Sequence, residues 1–238
     1  MPMPTIVGVG AEANGIGAVT PPYPGGYTAV DLDIALTWIE CDSTDTITPP
    51  TNWAQLSNAV VSSGTTTKLT VLWRRLTASE AAPQIADAGN HIEARMIILR
   101  GCVATGNPWN QVQPSTELVV DTSVSITGVT TTVPNCLILF GFSTGQDVAS
   151  TSGTPGFVNS NLTSVAEQMD NWTSLGTGGG FAMGTGQLAT AGATGATAAT
   201  LTLTANFKAQ LCIAMAGAPS DGFPSWKRRT PSGLYMRG

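Results

Sequence analysis

The chain contains one histidine, His91, in Gly89-Asn90-His91-Ile92-Glu93, with no second histidine and no thiol nearby in sequence. A general base or metal ligand needs a partner to orient it, so His91 reads as a strand-edge residue rather than a catalytic one. Five acids come closer to chemistry: Asp31 and Asp33, followed by Glu40, Asp42 and Asp45. Paired carboxylates serve glycosidases and calcium sites. The stretch Cys41-Asp42-Ser43-Thr44-Asp45 lacks the dense acid and glycine spacing of a calcium loop, and these acids are expected to be solvated. Glycines cluster at Gly8-Val9-Gly10, Gly15-Ile16-Gly17 and Gly178 to Gly186. A phosphate cradle needs a strand before the loop and a helix after it, and no helical pattern follows any of them. They read as turn glycines.

Aromatic side chains are the remaining candidates. Trp38 and Trp73 fall on apolar strand faces and read as core. Tyr23 and Tyr27 flank Pro24-Gly25-Gly26, Trp53 follows Pro-Pro-Thr-Asn, and Trp109 follows Gly-Asn-Pro. A ring in such a loop either stacks on a sugar or a partner, or plugs the end of a sandwich. The sequons Asn161-Leu162-Thr163 and Asn171-Trp172-Thr173 matter only on a secretory route. Cys41, Cys102, Cys136 and Cys212 each border an apolar run without C-x-x-C spacing, so free buried thiols in a reducing compartment are expected. No metal or cofactor is expected.

The elements that carry these residues have a period of two. Leu32, Ile34, Leu36 and Trp38 alternate with Asp31, Asp33, Ala35 and Thr37, the pattern of a half-buried strand. The same alternation runs through Lys68–Leu76 and Ile92–Ile98. Further strands are expected at Leu118–Ile126, Cys136–Phe142, Val165–Trp172, Thr200–Asn206 and Lys208–Ala216, with small-residue strands and loops in 178–195. Pro- and Gly-rich breaks separate them, and no helix longer than two turns and no repeat of fixed period is expected. Many short strands with turn-rich spacing predict an all-β protein, a jelly-roll-like antiparallel β-sandwich. One domain is expected over 1–216, followed by an extended arm over 217–238.

Composition narrows the function classes. Only 11% of residues are charged, against about 25% in ordinary globular proteins. No apolar run approaches the roughly 20 residues that span a bilayer, and Met-Pro-Met-Pro has neither the basic nor the apolar region of a signal peptide. Residues 226–238 hold four of the ten basic residues and no acid, leaving residues 1–225 at a net charge of −9. An acidic body argues against nucleic-acid binding, which calls for a basic stripe across the fold. The arm offers apolar anchors at Trp226, Leu234 and Tyr235 and charge at Lys227, Arg228, Arg229 and Arg237. It is expected to dock on a neighbouring subunit.

Read in order, the motifs resemble a group of tailed-bacteriophage virion proteins. They are Gly25-Gly26-Tyr27, Asp31-Leu32-Asp33-Ile34-Ala35-Leu36, Pro49-Pro50-Thr51-Asn52-Trp53, Leu69-Thr70-Val71-Leu72-Trp73-Arg74-Arg75 and Thr77-Ala78-Ser79-Glu80. Ile98-Leu99-Arg100-Gly101-Cys102, Gly106-Asn107-Pro108-Trp109, Asn135-Cys136-Leu137-Ile138 and Leu211-Cys212-Ile213-Ala214-Met215-Ala216 follow. The resemblance spans residues 5–217. It implies a non-enzymatic structural component of a virion, from tail, baseplate, fibre or capsid surface, assembled in the host cytoplasm. Its partners would be copies of itself, a trimer among the options, and other virion proteins. The alternative is a carbohydrate-binding adhesin in which Tyr23, Tyr27, Trp53 and Trp109 recognise a host surface glycan.

Overall fold

A computed structural model describes residues 1–62, 66–78, 80–148, 153–154, 156–202 and 206–218. The protein is all-β and forms an antiparallel β-sandwich, with no helix among the described residues. Six strands come from the first part of the chain: β1 (Thr5–Val9), β2 (Ala13–Gly15), β3 (Ile34–Cys41), β4 (Ala54–Val61), β5 (Thr67–Arg75) and β6 (Ile92–Arg100). Eight follow: β7 (Trp109–Asp121), β8 (Ser123–Ile126), β9 (Cys136–Thr144), β10 (Phe157–Val158), β11 (Thr163–Thr173), β12 (Gly179–Leu188), β13 (Thr197–Thr200) and β14 (Asn206–Ala216).

Each half of the chain builds one sheet. The first has the order β1-β6-β3-β5-β4, with β2 continuing along β6, and the second has β11-β12-β9-β14-β7. Between them lies an apolar layer containing Leu36, Trp38, Val71 and Ile97 from one sheet and Leu139, Phe181, Met183 and Ile213 from the other. Alternation correctly marks Leu36, Trp38 and Val71, but in β6 the face it marks, Ile92, Ala94, Met96 and Ile98, lies under the outer loops and not between the sheets, and the opposite faces are not solvated as a half-buried strand would require. Every residue of β3 and of β9 is buried. The outer face of the second sheet is covered by a small β10-β13-β8 sheet, whose Val124, Ile126 and Phe157 meet Ile138, Phe140 and Cys212. The outer face of the first is covered by loops that bring Val19, Tyr27, Ile47, Trp53 and Ile85 onto Ile39, Leu72 and Met96. The four cysteines are free and buried, as expected.

The two halves follow one plan. Reading each sheet by the order of its strands along the chain gives the same arrangement, with β1, β3, β4, β5 and β6 matched by β7, β9, β11, β12 and β14. The match extends to the irregularities. A bulge between Ile6 and Gly8, opposite Leu99 and Ile98, recurs between Trp109 and Gln111, opposite Met215 and Ala214. A second, between Gln55 and Ser57 opposite Leu72 and Val71, recurs between Glu167 and Met169 opposite Gly184 and Met183. Among the described residues, the four non-glycine positions with positive φ form two matched pairs, Leu32 with Asn135 and Asn52 with Ser164. The covering layers match as well, since Ile85 N–H donates to Val19 C=O as Leu201 N–H donates to Thr122 C=O. Bulges and left-handed residues are local devices set by individual residues, so their coincidence marks an internal duplication.

The displacement between matched residues is 103 for β1/β7 and β3/β9, 112 for β4/β11 and β5/β12, and 116 for β6/β14. Insertions in the second half thus destroy the fixed period that would have betrayed the repeat. With that register known, Ser62-Ser63-Gly64-Thr65 aligns with Ser174-Leu175-Gly176-Thr177, and Ile97 and Gly101 align with Ile213 and Gly217. Contacts across the seam are reciprocal. Thr67 Oγ1 lies 2.8 Å from Ser143 Oγ, while their counterparts Gly179 and Glu40 touch so closely that a Cβ on Gly179 would sit 2.4 Å from Glu40 Oε2. Reciprocal contacts of this kind are those of a two-fold homodimer.

Candidate functional site

A groove of about 670 Å³ lies on the loop-covered face of the first sheet, lined by Pro50, Thr51, Trp53, Arg74, Thr77 and Glu80, with residues 81–84 along its other side. Arg74 comes from β5, where its even-numbered position directs it to the outer face together with Leu72. Trp53 follows Asn52, whose positive φ turns the chain into β4. Arg74 Nε meets Glu80 Oε2 at 2.7 Å, and Glu80 Oε1 accepts the backbone N–H of Thr77 at 3.0 Å as well as its hydroxyl. Tyr23 donates its phenol to Ala81 C=O. Burial, and next the charge of Glu80, raise the pKa of that phenol.

The four aromatic candidates do not form one platform. Tyr23 and Tyr27 pack on each other with centroids 5.5 Å apart. Tyr27 donates to Asp33 Oδ2 at 3.0 Å, and its phenol is pushed up to about 12, first by burial and then by Asp33. Trp53 is buried beneath the same loops, with 8% exposure, and lines the groove. Trp109 begins β7 and stands edge-on to Trp73, with centroids 5.0 Å apart. The arm candidates Trp226, Lys227, Arg228, Arg229, Leu234, Tyr235 and Arg237 lie outside the described residues.

Two expectations about titratable groups need correction. His91 is not at a sheet edge: it precedes β6, an interior strand, and is fully buried. The acids are not all solvated either, because Glu40 and Asp33 are buried. Asp33 receives the Arg100 guanidinium in a two-pronged contact, at 2.9 and 2.7 Å. His91 Nε2 lies 3.0 Å from Glu40 Oε2, and Glu40 Oε1 accepts the Thr67 hydroxyl at 2.8 Å. Burial favours the neutral carboxyl of Glu40 and outweighs the pull of His91 and Thr67. Burial disfavours the imidazolium, but the hydrogen bond and charge of Glu40 outweigh it and raise His91. Both shifts hold a proton on the contact. Thr177 and Asn90 close the open side, with the Thr177 hydroxyl 3.3 Å from His91 Nδ1 and Asn90 Oδ1 2.9 Å from it.

Sequence reading missed three charged groups: alternation sets Glu93 and Arg95 opposite the apolar face of their strand, and nothing singles out Lys208. Glu93 is fully buried, neither of its oxygens has a hydrogen-bond partner among the described residues, and its pKa is pushed up to about 9 by burial, then by the charges of Glu12 and Glu40. Arg95 spans the seam to Asn171 Oδ1 at 2.9 Å. Lys208 is fully buried and reaches Glu117 at 3.0 Å and Asp121 at 2.8 Å. That ion pair anchors the far end of β7, an edge strand whose Leu118, Val119 and Val120 are 59, 57 and 60% exposed. No signal short of the sheet order marks β7 as an edge. Comparisons with protein-family models, curated proteins and solved structures gave no match.

Proposed function

We propose that this protein is a non-enzymatic structural subunit of a tailed-bacteriophage virion, assembled in several copies. The phage assignment rests on the ordered motif set, and the observation supporting assembly is the free edge of β7. A long edge strand offers a row of backbone donors and acceptors, and proteins ordinarily blunt it with Lys, Pro or a covering segment. Here Leu118-Val119-Val120 stands uncovered among the described residues. Strand pairing along this edge would bury the three side chains and satisfy the backbone together.

The non-enzymatic reading is supported by the enclosure of His91 and Glu40, which leaves no room for a substrate between them. The test is mass spectrometry of purified particles with native mass measurement of the isolated protein. A peptide set from this chain in the particles and an oligomer in solution are expected. Absence from particles would overturn the virion assignment, and a strict monomer at high concentration would overturn assembly through β7.

A further inference from the structure

The duplication supplies an internal control for the groove beside Trp53. In the second half, Arg74 is matched by Gly186, Trp53 by Val165 and Pro50 by Leu162. There the space is filled: a Cβ on Gly186 would lie 2.8 Å from Leu162 Cδ1 and 3.4 Å from Val165 Cγ2. One copy of the same architecture is closed by aliphatic packing, while the other is open and lined by an ion pair, hydroxyls and an indole. A groove serving only the fold would have no reason to keep a charged pair where aliphatic side chains suffice.

We propose that this groove binds a neutral saccharide. Its volume of about 670 Å³ falls within the roughly 300–1,000 Å³ of small-molecule sites. Arg74 meets Glu80 through Nε, and among the described residues its terminal nitrogens make no hydrogen bond, which leaves them placed as donors. Glu80 fixes Arg74 in place, its Oε2 enclosed against Arg74 Nε and its Oε1 taken up by Thr77. Thr51 and Thr77 add hydroxyls, and Trp53, Pro50 and Pro83 add apolar surface. Sugar rings present both kinds of surface, hydroxyls that donate and accept and C–H faces that pack on aromatic and aliphatic groups.

Charge selects within the sugars. Glu80 neutralises Arg74, so the groove holds no net charge with which to bind an isolated anion or cation. The surrounding body carries a net charge of −9 over residues 1–225 and repels uronates, sialates and phosphorylated glycans over long range. A neutral hexose unit is the class that meets neither obstacle. The site stands apart from the β7 edge, and the saccharide proposal does not depend on the virion reading.

The test is an array of immobilised neutral and acidic oligosaccharides probed with the full-length protein, followed by titration calorimetry with the best neutral binder. Binding to neutral glycans is expected, with Arg74→Ala and Glu80→Gln each weakening it at least tenfold. Ala81→Trp, at an exposed rim position, blocks the groove without touching the ion pair and should abolish binding while the melting curve stays unchanged. Glu167→Gln, on the second sheet, should bind normally. Preference for acidic glycans, no binding at millimolar concentration, or normal binding by Ala81→Trp would each overturn the proposal. Virion incorporation and oligomeric mass are separate readouts and should be unchanged in Ala81→Trp.

Discussion

Trp38 and Gly141 occupy matched positions in the two halves and meet face to face across the seam: a Cβ on Gly141 would sit 2.9 Å from Cζ3 of the indole. Two large residues could not share that place in a symmetric pair, and two glycines would leave a void. Once the halves belonged to one chain they could differ, one supplying the ring and the other the space. Gly141→Ala should therefore destabilise the protein by about 1–3 kcal/mol, the usual cost of overpacking. Trp38→Ala should cost about 3–5 kcal/mol. Urea denaturation of the three proteins measures both.

His91 and Glu40 are the counterparts of Phe207 and Ser143. Replacing the imidazole alone by His91→Phe strands Glu40 in the interior, and breaking a buried pair in this way costs roughly 3–5 kcal/mol. Adding Glu40→Ser, which reproduces the side chains of the second half, should recover most of the loss. A double-mutant cycle from chemical denaturation reads the coupling, and strict additivity of the two changes would refute it.

Stability should fall as pH rises from about 5 towards 9. Glu93 has a folded pKa of about 9 against an unfolded value near 4.3. Between those limits the native state holds a proton that the unfolded state has released, so ionisation favours unfolding. His91, also raised, acts in the same direction above its unfolded value of about 6.5. Each such group contributes a slope of at most about 1.4 kcal/mol per pH unit. Glu93→Gln should flatten the profile at alkaline pH and leave the protein more stable than the parent at pH 8.5. Denaturant midpoints at pH 5, 7 and 8.5 decide the matter.

Val119→Lys should turn an oligomer into a smaller species without lowering the melting point, because Val119 is 57% exposed and surface changes usually stay within about 0.5 kcal/mol. Light scattering coupled to size exclusion gives the mass.

The four thiols should resist Ellman's reagent until the protein unfolds. Burial pushes Cys102 and Cys212 up to about 12, and the thiolate is the reactive form. Four equivalents released only in denaturant is the expected count.

The strands β3, β5, β9 and β14 were legible because their inward residues are large and alternate, and β6 because Ile92, Ala94, Met96 and Ile98 alternate on its outer face. β4 was not, because its bulge between Gln55 and Ser57 shifts the period in mid-strand. In β12, Gly184 faces Phe140 and Phe157 so closely that a Cβ would lie 2.6 Å from one ring and 2.8 Å from the other. Ring packing on that outer face thus selects small residues there, and a central strand read as low-complexity sequence. The outward members of the alternating pairs misled most, since Thr37, Glu40 and Glu93 look solvent-facing until the covering layers and the second sheet are known. Arg74 and Glu80 carry no signal as a site in isolation. Their meaning comes from Gly186, more than a hundred residues away.

Among the described residues the chain passes between its two large sheets once, through residues 101–108. There, Ala218 N–H donates to Gly101 C=O at 2.8 Å and Val103 N–H to Ala216 C=O at 3.2 Å. In kinetic terms each sheet can form from its own contiguous stretch, and the seam then closes as an encounter between two nearly finished partners on a short tether. Such an encounter does not distinguish the half on its own tether from the same half on another molecule. Refolding at high concentration should therefore yield exchanged dimers that keep the whole seam, and dilute refolding monomers. A protein built as a fused pair carries within itself a second route to self-association.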